Sequence, residues 1–275
     1  MLNLFDYSHY KKDIGGPISS VEVGDFIFPF APDDNIGCVK LVDKMEQAVP
    51  LKVVNSARIS YKDHHDELTE GDSKLTAFLW TNEHTSPFRH SYYSFHIKAP
   101  LYVFRQWIKY QVGSTWRTYT VDGQEVSFEV WDELFDADKG CSWNEASARY
   151  KELKPEFYTP AKWRGQDAKN KQGSSPIDGA SSSWHAENTA IAVAKCEQDY
   201  AYYSRLLKEG VCREQARAYL PQCIYTESIW TVSLQSVLWF LHQRLKPEAQ
   251  WEIKQYAEAI RALIQPDLEK MELKI

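Results

Sequence analysis

The sequence predicts a mixed α/β fold in one domain spanning residues 1–275. Two kinds of periodicity lead there. Apolar and aromatic residues alternate with period two near 21–30 and 91–98, the mark of half-buried strands. The C-terminal third instead repeats its apolar residues with helical spacing. No internal repeat and no linker-like stretch divides the chain, so one domain is the economical reading. With 43% hydrophobic and 25% charged residues, 275 residues suffice to bury a substantial core.

Taken in order, residues 21–30 (Val-Glu-Val-Gly-Asp-Phe-Ile-Phe-Pro-Phe) alternate and then turn apolar, which predicts one strand. Residues 51–60 and 73–82 read as short helices. The alternation Ser-Tyr-Tyr-Ser-Phe-His-Ile-Lys at 91–98 predicts another strand. Pro100 then sits where a helix can begin, because the first turn does not use its missing N–H, and 101–110 continues with helical spacing. From 118 to 142 the chain is acidic, aromatic and turn-rich, and its Asp122-Gly123 pair suits a tight hairpin. The polar stretch 166–183, with Gly and Ser clustered, is expected to be a mobile loop. Helices are predicted at about 186–208, 212–220, 227–243 and 247–264, the third apolar on most faces and therefore buried.

Composition excludes some functions. A net charge of −6 is the wrong sign for a broad nucleic-acid surface, though it leaves room for a small basic pocket holding one phosphate. No apolar run approaches the roughly 20 residues that span a bilayer, and residues 1–12 lack a basic-then-apolar leader. No membrane association and a cytoplasmic location are expected. The five cysteines are scattered, odd in number and without a CxxC pair, which suits reduced thiols better than disulfides or a zinc site. His84 and His90 have no third ligand at a recognisable spacing, so no metal is expected. Aromatic residues make up 14% of the chain, including ten tryptophans; they suit a large core first, and stacking surfaces or an oligomer interface second.

Two segments carry the chemistry. Residues 105–117 (Arg-Gln-Trp-Ile-Lys-Tyr-Gln-Val-Gly-Ser-Thr-Trp-Arg) and 143–150 (Trp-Asn-Glu-Ala-Ser-Ala-Arg-Tyr) mix cations, amides, hydroxyls and rings. That combination suits a phosphorylated, flat heterocycle. Ser147 and Arg149 offer a hydroxyl and a guanidinium fork for a phosphate, although a capped helix with a solvated arginine would look the same. Gln106 and Lys109 share a helical face beside Trp107. Arg213 and Arg217 lie one helical turn apart, the spacing of a surface salt-bridge pair. Arg244 ends the buried apolar run, where a cation complements a helix dipole.

The order of the blocks is more specific than any one of them. Ser56-Ala57-Arg58-Ile59-Ser60-Tyr61 comes first, then His84-Thr85-Ser86-Pro87-Phe88-Arg89-His90, Phe95-His96-Ile97-Lys98-Ala99-Pro100 and Arg105-Gln106-Trp107. Asn144-Glu145-Ala146-Ser147-Ala148-Arg149-Tyr150, Glu156-Phe157-Tyr158-Thr159-Pro160 and Asn170-Lys171-Gln172-Gly173-Ser174 follow. Arg213-Glu214-Gln215-Ala216-Arg217, Leu220-Pro221, Tyr225-Thr226, Trp230-Thr231-Val232 and Ala249-Gln250-Trp251-Glu252-Ile253 complete the series. Collinear over roughly residues 38–264, it closely resembles the flavin-dependent thymidylate synthase family.

The resemblance implies that family's fold, a small antiparallel sheet with long helices, and a homotetramer whose sites are built between subunits. It implies an enzyme that makes dTMP from dUMP, with methylene-tetrahydrofolate supplying the carbon, reduced FAD the hydride and NADPH the reducing power, and with no enzymic nucleophile. Gln106, Glu145, Ser147, Arg149 and Arg217 would then hold the dUMP phosphate and sugar. Arg244 would contact the uracil and stabilise charge as C5 becomes nucleophilic. Lys109 stands where the family has an arginine, keeping the charge but not the bidentate fork. Arg244, Arg217 and Lys109 are the residues expected to act in catalysis, and Ser60, Ser86, Arg89, Tyr110, Gln111, Ser233 and Gln235 those facing FAD.

The departures fall on the flavin side. The family signature reads Arg-His-Arg, seven residues, then Ser; here Lys109-Tyr110-Gln111 is followed by an insert at about 115–142. Arg89 replaces a glutamate, Gln235 an arginine, and Ser233 and Trp239 two asparagines. Charge-assisted hydrogen bonds are worth roughly 1.5–3 kcal/mol each, so losing several unreplaced weakens flavin affinity by orders of magnitude. Methylation to dTMP is the expected outcome. Its rivals are a hydroxymethylase, in which water captures the methylene adduct to give 5-hydroxymethyl-dUMP, and a nucleotide-binding protein without catalysis. Cys223 invites a test as a thiol adding to uracil C6, although a helix-flanking cysteine usually packs inertly.

Overall fold

The computed structural model describes residues 21–23, 26–45, 49–61, 63–108, 115–121, 124–130 and 141–273, with 21–23, 115–121 and 124–130 described by backbone alone. Three strands open it: β1 (Val21–Val23), β2 (Phe26–Phe28) and β3 (Cys38–Lys44). Helices α1 (Val49–Arg58) and α2 (Glu70–Thr81) precede β4 (Tyr92–Pro100), which runs straight into α3 (Leu101–Trp107). Strands β5 (Thr115–Val121) and β6 (Gln124–Val130) pair as a hairpin, and β7 (Cys141–Glu145) follows. The remainder is β8 (Arg164–Gln166), β9 (Ser174–Pro176), α4 (Ser182–Lys208), α5 (Arg213–Ala216), β10 (Tyr225–Ser233), α6 (Leu234–Arg244) and α7 (Trp251–Lys270).

Six strands form one antiparallel sheet in the order β1-β2-β3-β4-β10-β7, so the fold is the mixed α/β class with a small antiparallel sheet and long helices. Its centre is the β4–β10 pair, in register from Tyr225↔Pro100 to Ser233↔Tyr92. Alternation puts Tyr93, Phe95 and Ile97 of β4 and Trp230 and Val232 of β10 into the core, all fully buried. They meet Phe240 of α6 and Tyr256 and Ile260 of α7, while Trp107 of α3 stacks on Phe240 at 4.8 Å between ring centroids. Each such side chain contributes about 1.5–3 kcal/mol by leaving water. Gly37, just before β3, has a packing reason to be glycine: a Cβ there would collide with the Tyr256 hydroxyl and reach Tyr225 at 3.0 Å.

Four expectations need correction. Residues 227–243 are not one helix: 225–233 is the strand β10 and only 234–244 is helical. Both halves are buried, so the apolar run hides the change of period; Ser233 marks it, its Oγ capping α6 by accepting from the Ser236 N–H at 3.3 Å. Residues 21–30 do not form one strand: 21–23 and 26–28 are two antiparallel strands, β1 and β2, with Val23 opposite Phe26. The stretch 166–183 is not simply a loop: β8 and β9 pair as a two-stranded ribbon, and 182–183 already belong to α4. The 212–220 helix shrinks to α5 and a 3-10 turn at Arg217–Tyr219, ended by the extended backbone of Leu220 before Pro221.

Candidate active site

Both central strands deliver a helix without an intervening loop. Leu101 begins α3 directly after Pro100, and Leu234 begins α6 directly after Ser233. Gln106 lies near the end of α3, and Arg244 is the last residue of α6. Both line one cavity of about 340 Å³, within the range of small-molecule sites. α6 also supplies Gln243, the connection to α7 supplies Lys246, Glu248 and Gln250, and the turn between β8 and β9 supplies Gln172.

Four carboxamides, two cations and one carboxylate suit this cavity to a polar ligand carrying negative charge. Arg244 is buried, which strengthens its electrostatic reach. Lys246 Nζ donates to Gln243 Oε1 at 3.0 Å, and Gln250 Nε2 donates to Glu252 Oε2 at 3.1 Å. One bond engages an amide oxygen and the other an amide nitrogen, so the two carboxamides present opposite polarity to a ligand.

The other expected nucleotide residues form a separate group. Ser147 and Arg149 lie on a turn after β7, where Ser147 Oγ accepts from the Arg149 N–H at 3.3 Å. Arg149 reaches Glu214 of α5 at 3.7 Å, and Ala148 packs in one small cluster with Ala216, the residue before Arg217. Ser147, Arg149 and Arg217 are thus brought together, with both arginines exposed, but they do not line the cavity that holds Gln106 and Arg244. Glu145 stands between the groups. Burial raises its carboxyl above the usual range, opposed by the Trp143 indole and by the charge of Arg105, next to Gln106. Lys109, Tyr110 and Gln111 lie outside the described residues.

Of the remaining expectations, Ser86, Arg89, Ser233 and Gln235 fall around the start of α6. Ser86 and Arg89 are exposed on the 3-10 turn Ser86–His90, and Arg89 Nε donates to Gln235 Oε1 at 2.5 Å. Ser233 and Gln235 are buried, the former as the cap of α6. Ser60 is exposed between Ile59 and Tyr61, which are 76% and 83% exposed. About 13 Å of helix separates Gln235 from Arg244, at 1.5 Å per residue, so the two candidate regions sit at opposite ends of α6. Cys223 packs against Cys196, their sulfurs 3.3 Å apart, and burial pushes its thiol up to about 12, leaving almost no thiolate at neutral pH.

A family model described as thymidylate synthase complementing protein matches residues 40–268. The chain belongs to that family. Among its relatives are flavin-dependent thymidylate synthases from Thermus thermophilus, 37% identical over 83% of this chain and 71% of the relative, and from Thermosipho africanus, 35% identical over 80% and 82%. A crystal structure of a UMP/dUMP methylase, PolB from Streptomyces cacaoi, bound with 5-Br dUMP, superposes with a TM-score of 0.63. It is 25% identical, covering 85% of this chain and 94% of that one. As a thymidylate synthase complementing protein, the chain is a methyl-transferring enzyme at the level of its family.

The family's flavin dependence can be set against the donors present. Arg89 and Ser86 supply an exposed guanidinium and hydroxyl from one 3-10 turn, which suit the diphosphate of FAD, and Ser60 supplies an exposed hydroxyl on the separate turn Ile59–Tyr61. The exposed rings and methyls of Tyr61 and Ile59 suit an apolar ring system. Ser233 and Gln235 face protein partners instead. The cavity residues that sequence reasoning left unassigned are Gln172, Gln243, Lys246, Glu248 and Gln250. Their signal was the dense polar run between α6 and α7, together with two matching blocks, Asn170–Ser174 and Ala249–Ile253, for which no role had been inferred.

Proposed function

We propose that this chain transfers a one-carbon unit from methylene-tetrahydrofolate to C5 of dUMP and makes dTMP. When bound, FAD reduced by NADPH supplies the hydride. The observation that carries this reading is the meeting of Gln106 and Arg244 across one cavity, from separate strand-to-helix units. Arg244 holds the uracil, and its buried charge favours the build-up of electrons on the ring that makes C5 nucleophilic. Gln106 binds the sugar side, and Glu145, Ser147, Arg149 and Arg217 hold the sugar and phosphate. Lys109 would add a cation beside them. No enzymic thiol takes part, which agrees with the raised Cys223.

The separation of the Ser147, Arg149 and Arg217 group from the cavity supports sites completed between subunits, in a homotetramer. The long helix α4 supports this too: of its 27 residues only Cys196 and Tyr203 are buried, while Ile191, Val193 and Trp184 are exposed. We assign the chain to one domain, with 115–142 as its insert, and to a cytoplasmic setting. Among the described residues no helix is long and apolar enough to cross a membrane.

A second reading is favoured by the inward commitment of Ser233 and Gln235. With flavin held weakly, water captures the methylene adduct and 5-hydroxymethyl-dUMP forms. Pure protein incubated with dUMP and methylene-tetrahydrofolate, with and without FAD and NADPH, separates the two by product mass. dTMP that requires flavin supports the first reading; a hydroxymethyl product made without flavin replaces it with the second. dUMP binding without turnover in any mixture would make the chain a nucleotide-binding protein instead.

A further inference from the structure

Among the described residues the β8–β9 ribbon pairs with no strand of the main sheet, yet both its root and its tip are fixed. At the tip, Asp167 Oδ1 accepts from the backbone N–H groups of Lys169 and Asn170, both at 2.8 Å. Gln166 Nε2 donates to the carbonyls of Lys171 and Gly173 at 2.8 and 2.9 Å. Asn170 Oδ1 accepts from the Gln172 N–H at 3.0 Å. These bonds set the turn in one shape, and that shape places Gln172 in the cavity wall. A preset turn loses less freedom on binding than a floppy one.

At the root, Arg164 of β8 forms an ion pair with Glu252 of α7, and its guanidinium lies 4.8 Å over the Trp251 ring. Glu252 is buried, and its second oxygen accepts from Gln250, itself a cavity residue. One carboxylate therefore fixes both the ribbon that carries Gln172 and the amide of Gln250.

We propose that Gln172 contacts the nucleobase and that Arg164, latched to Glu252 and Trp251, is the positioning residue that holds Gln172 at the cavity. This rests on the cavity being the dUMP site. The choice of the base follows from charge. Gln172 shares the cavity with Arg244, the residue assigned to the uracil, and not with the Ser147, Arg149 and Arg217 group assigned to the phosphate; its neutral carboxamide can donate to a ring carbonyl and accept from a ring N–H.

Calorimetric titration of the full-length chain with dUMP and with deoxyribose 5-phosphate tests this. If the unaltered chain fails to bind dUMP, the reading of the cavity falls, independently of Gln172. Given that binding, Gln172→Ala should weaken dUMP about tenfold and leave the sugar phosphate unchanged. No change toward dUMP, or an equal loss toward both ligands, overturns the base contact. Gln172 is exposed on a turn, so its removal should leave the fold intact, and unchanged circular dichroism checks this. Arg164→Ala should produce a similar loss, and Arg164→Ala with Gln172→Ala no more than either alone. Losses that multiply overturn the positioning role, as does Arg164→Lys failing to recover part of the affinity.

Discussion

Arg244 is buried at the end of a helix and faces the cavity with a planar fork, so its contribution is geometric as well as electrostatic. Arg244→Lys keeps the charge and loses the fork; dUMP affinity measured by calorimetry should fall about tenfold, roughly 1.4 kcal/mol. Cys223 is the opposite case. Its thiol is pushed up and packs against Cys196, so Cys223→Ser should leave product formation unchanged in a mass-based assay. Gly37 illustrates a residue whose importance is steric. Gly37→Ala must displace the Tyr256 hydroxyl, which donates to the Lys98 carbonyl at 2.8 Å, and should lower stability by about 1–3 kcal/mol in chemical denaturation.

Between α1 and α2 a single carboxylate organises the connection. Asp72 is fully buried; it accepts from Arg58 at 2.6 Å, from His65 at 2.8 Å and from the Thr69 N–H at 2.9 Å, closing a capping box at the start of α2. Burial alone would raise this acid, but the bonds from His65 and Thr69 prevail and lower it from its ordinary 3.8 to about 2. Its contribution to stability is therefore complete above about 3.8 and is lost as pH falls through about 2. Asp72→Asn should cost about 3 kcal/mol at neutral pH, the low end for a buried ion pair because Arg58 is partly exposed. Denaturation curves of the variant and the parent should converge toward pH 2. The cluster was not visible as one motif, because its three partners, Arg58 at the end of α1, His65 and Thr69, come from separate positions of the chain. The strand at 91–98 and the helices near 51–60, 73–82, 186–208 and 247–264 were legible, since each keeps one period long enough to read. Residues 225–244 were not, because a mostly buried strand runs directly into a mostly buried helix and no turn between them marks the change of period.

Across the whole molecule, the cavity was half legible. Gln106 and Arg244 were named from the sequence, whereas Gln172, Lys246 and Gln250 owe their place to chain paths that only the folded arrangement reveals. The homotetramer proposed above is tested at the exposed flank of α4. If that flank is its interface, Ile191→Glu should shift the protein toward smaller species in sedimentation velocity, because an unpaired carboxylate is costly to bury. The strand-to-helix junctions at Pro100–Leu101 and Ser233–Leu234 have a consequence for how this chain can diverge. With no slack at either joint, one added or deleted residue would rotate the emerging helix by about 100° and swing Gln106 or Arg244 off the cavity. A substitution at either joint leaves that geometry in place, whereas a change of length does not.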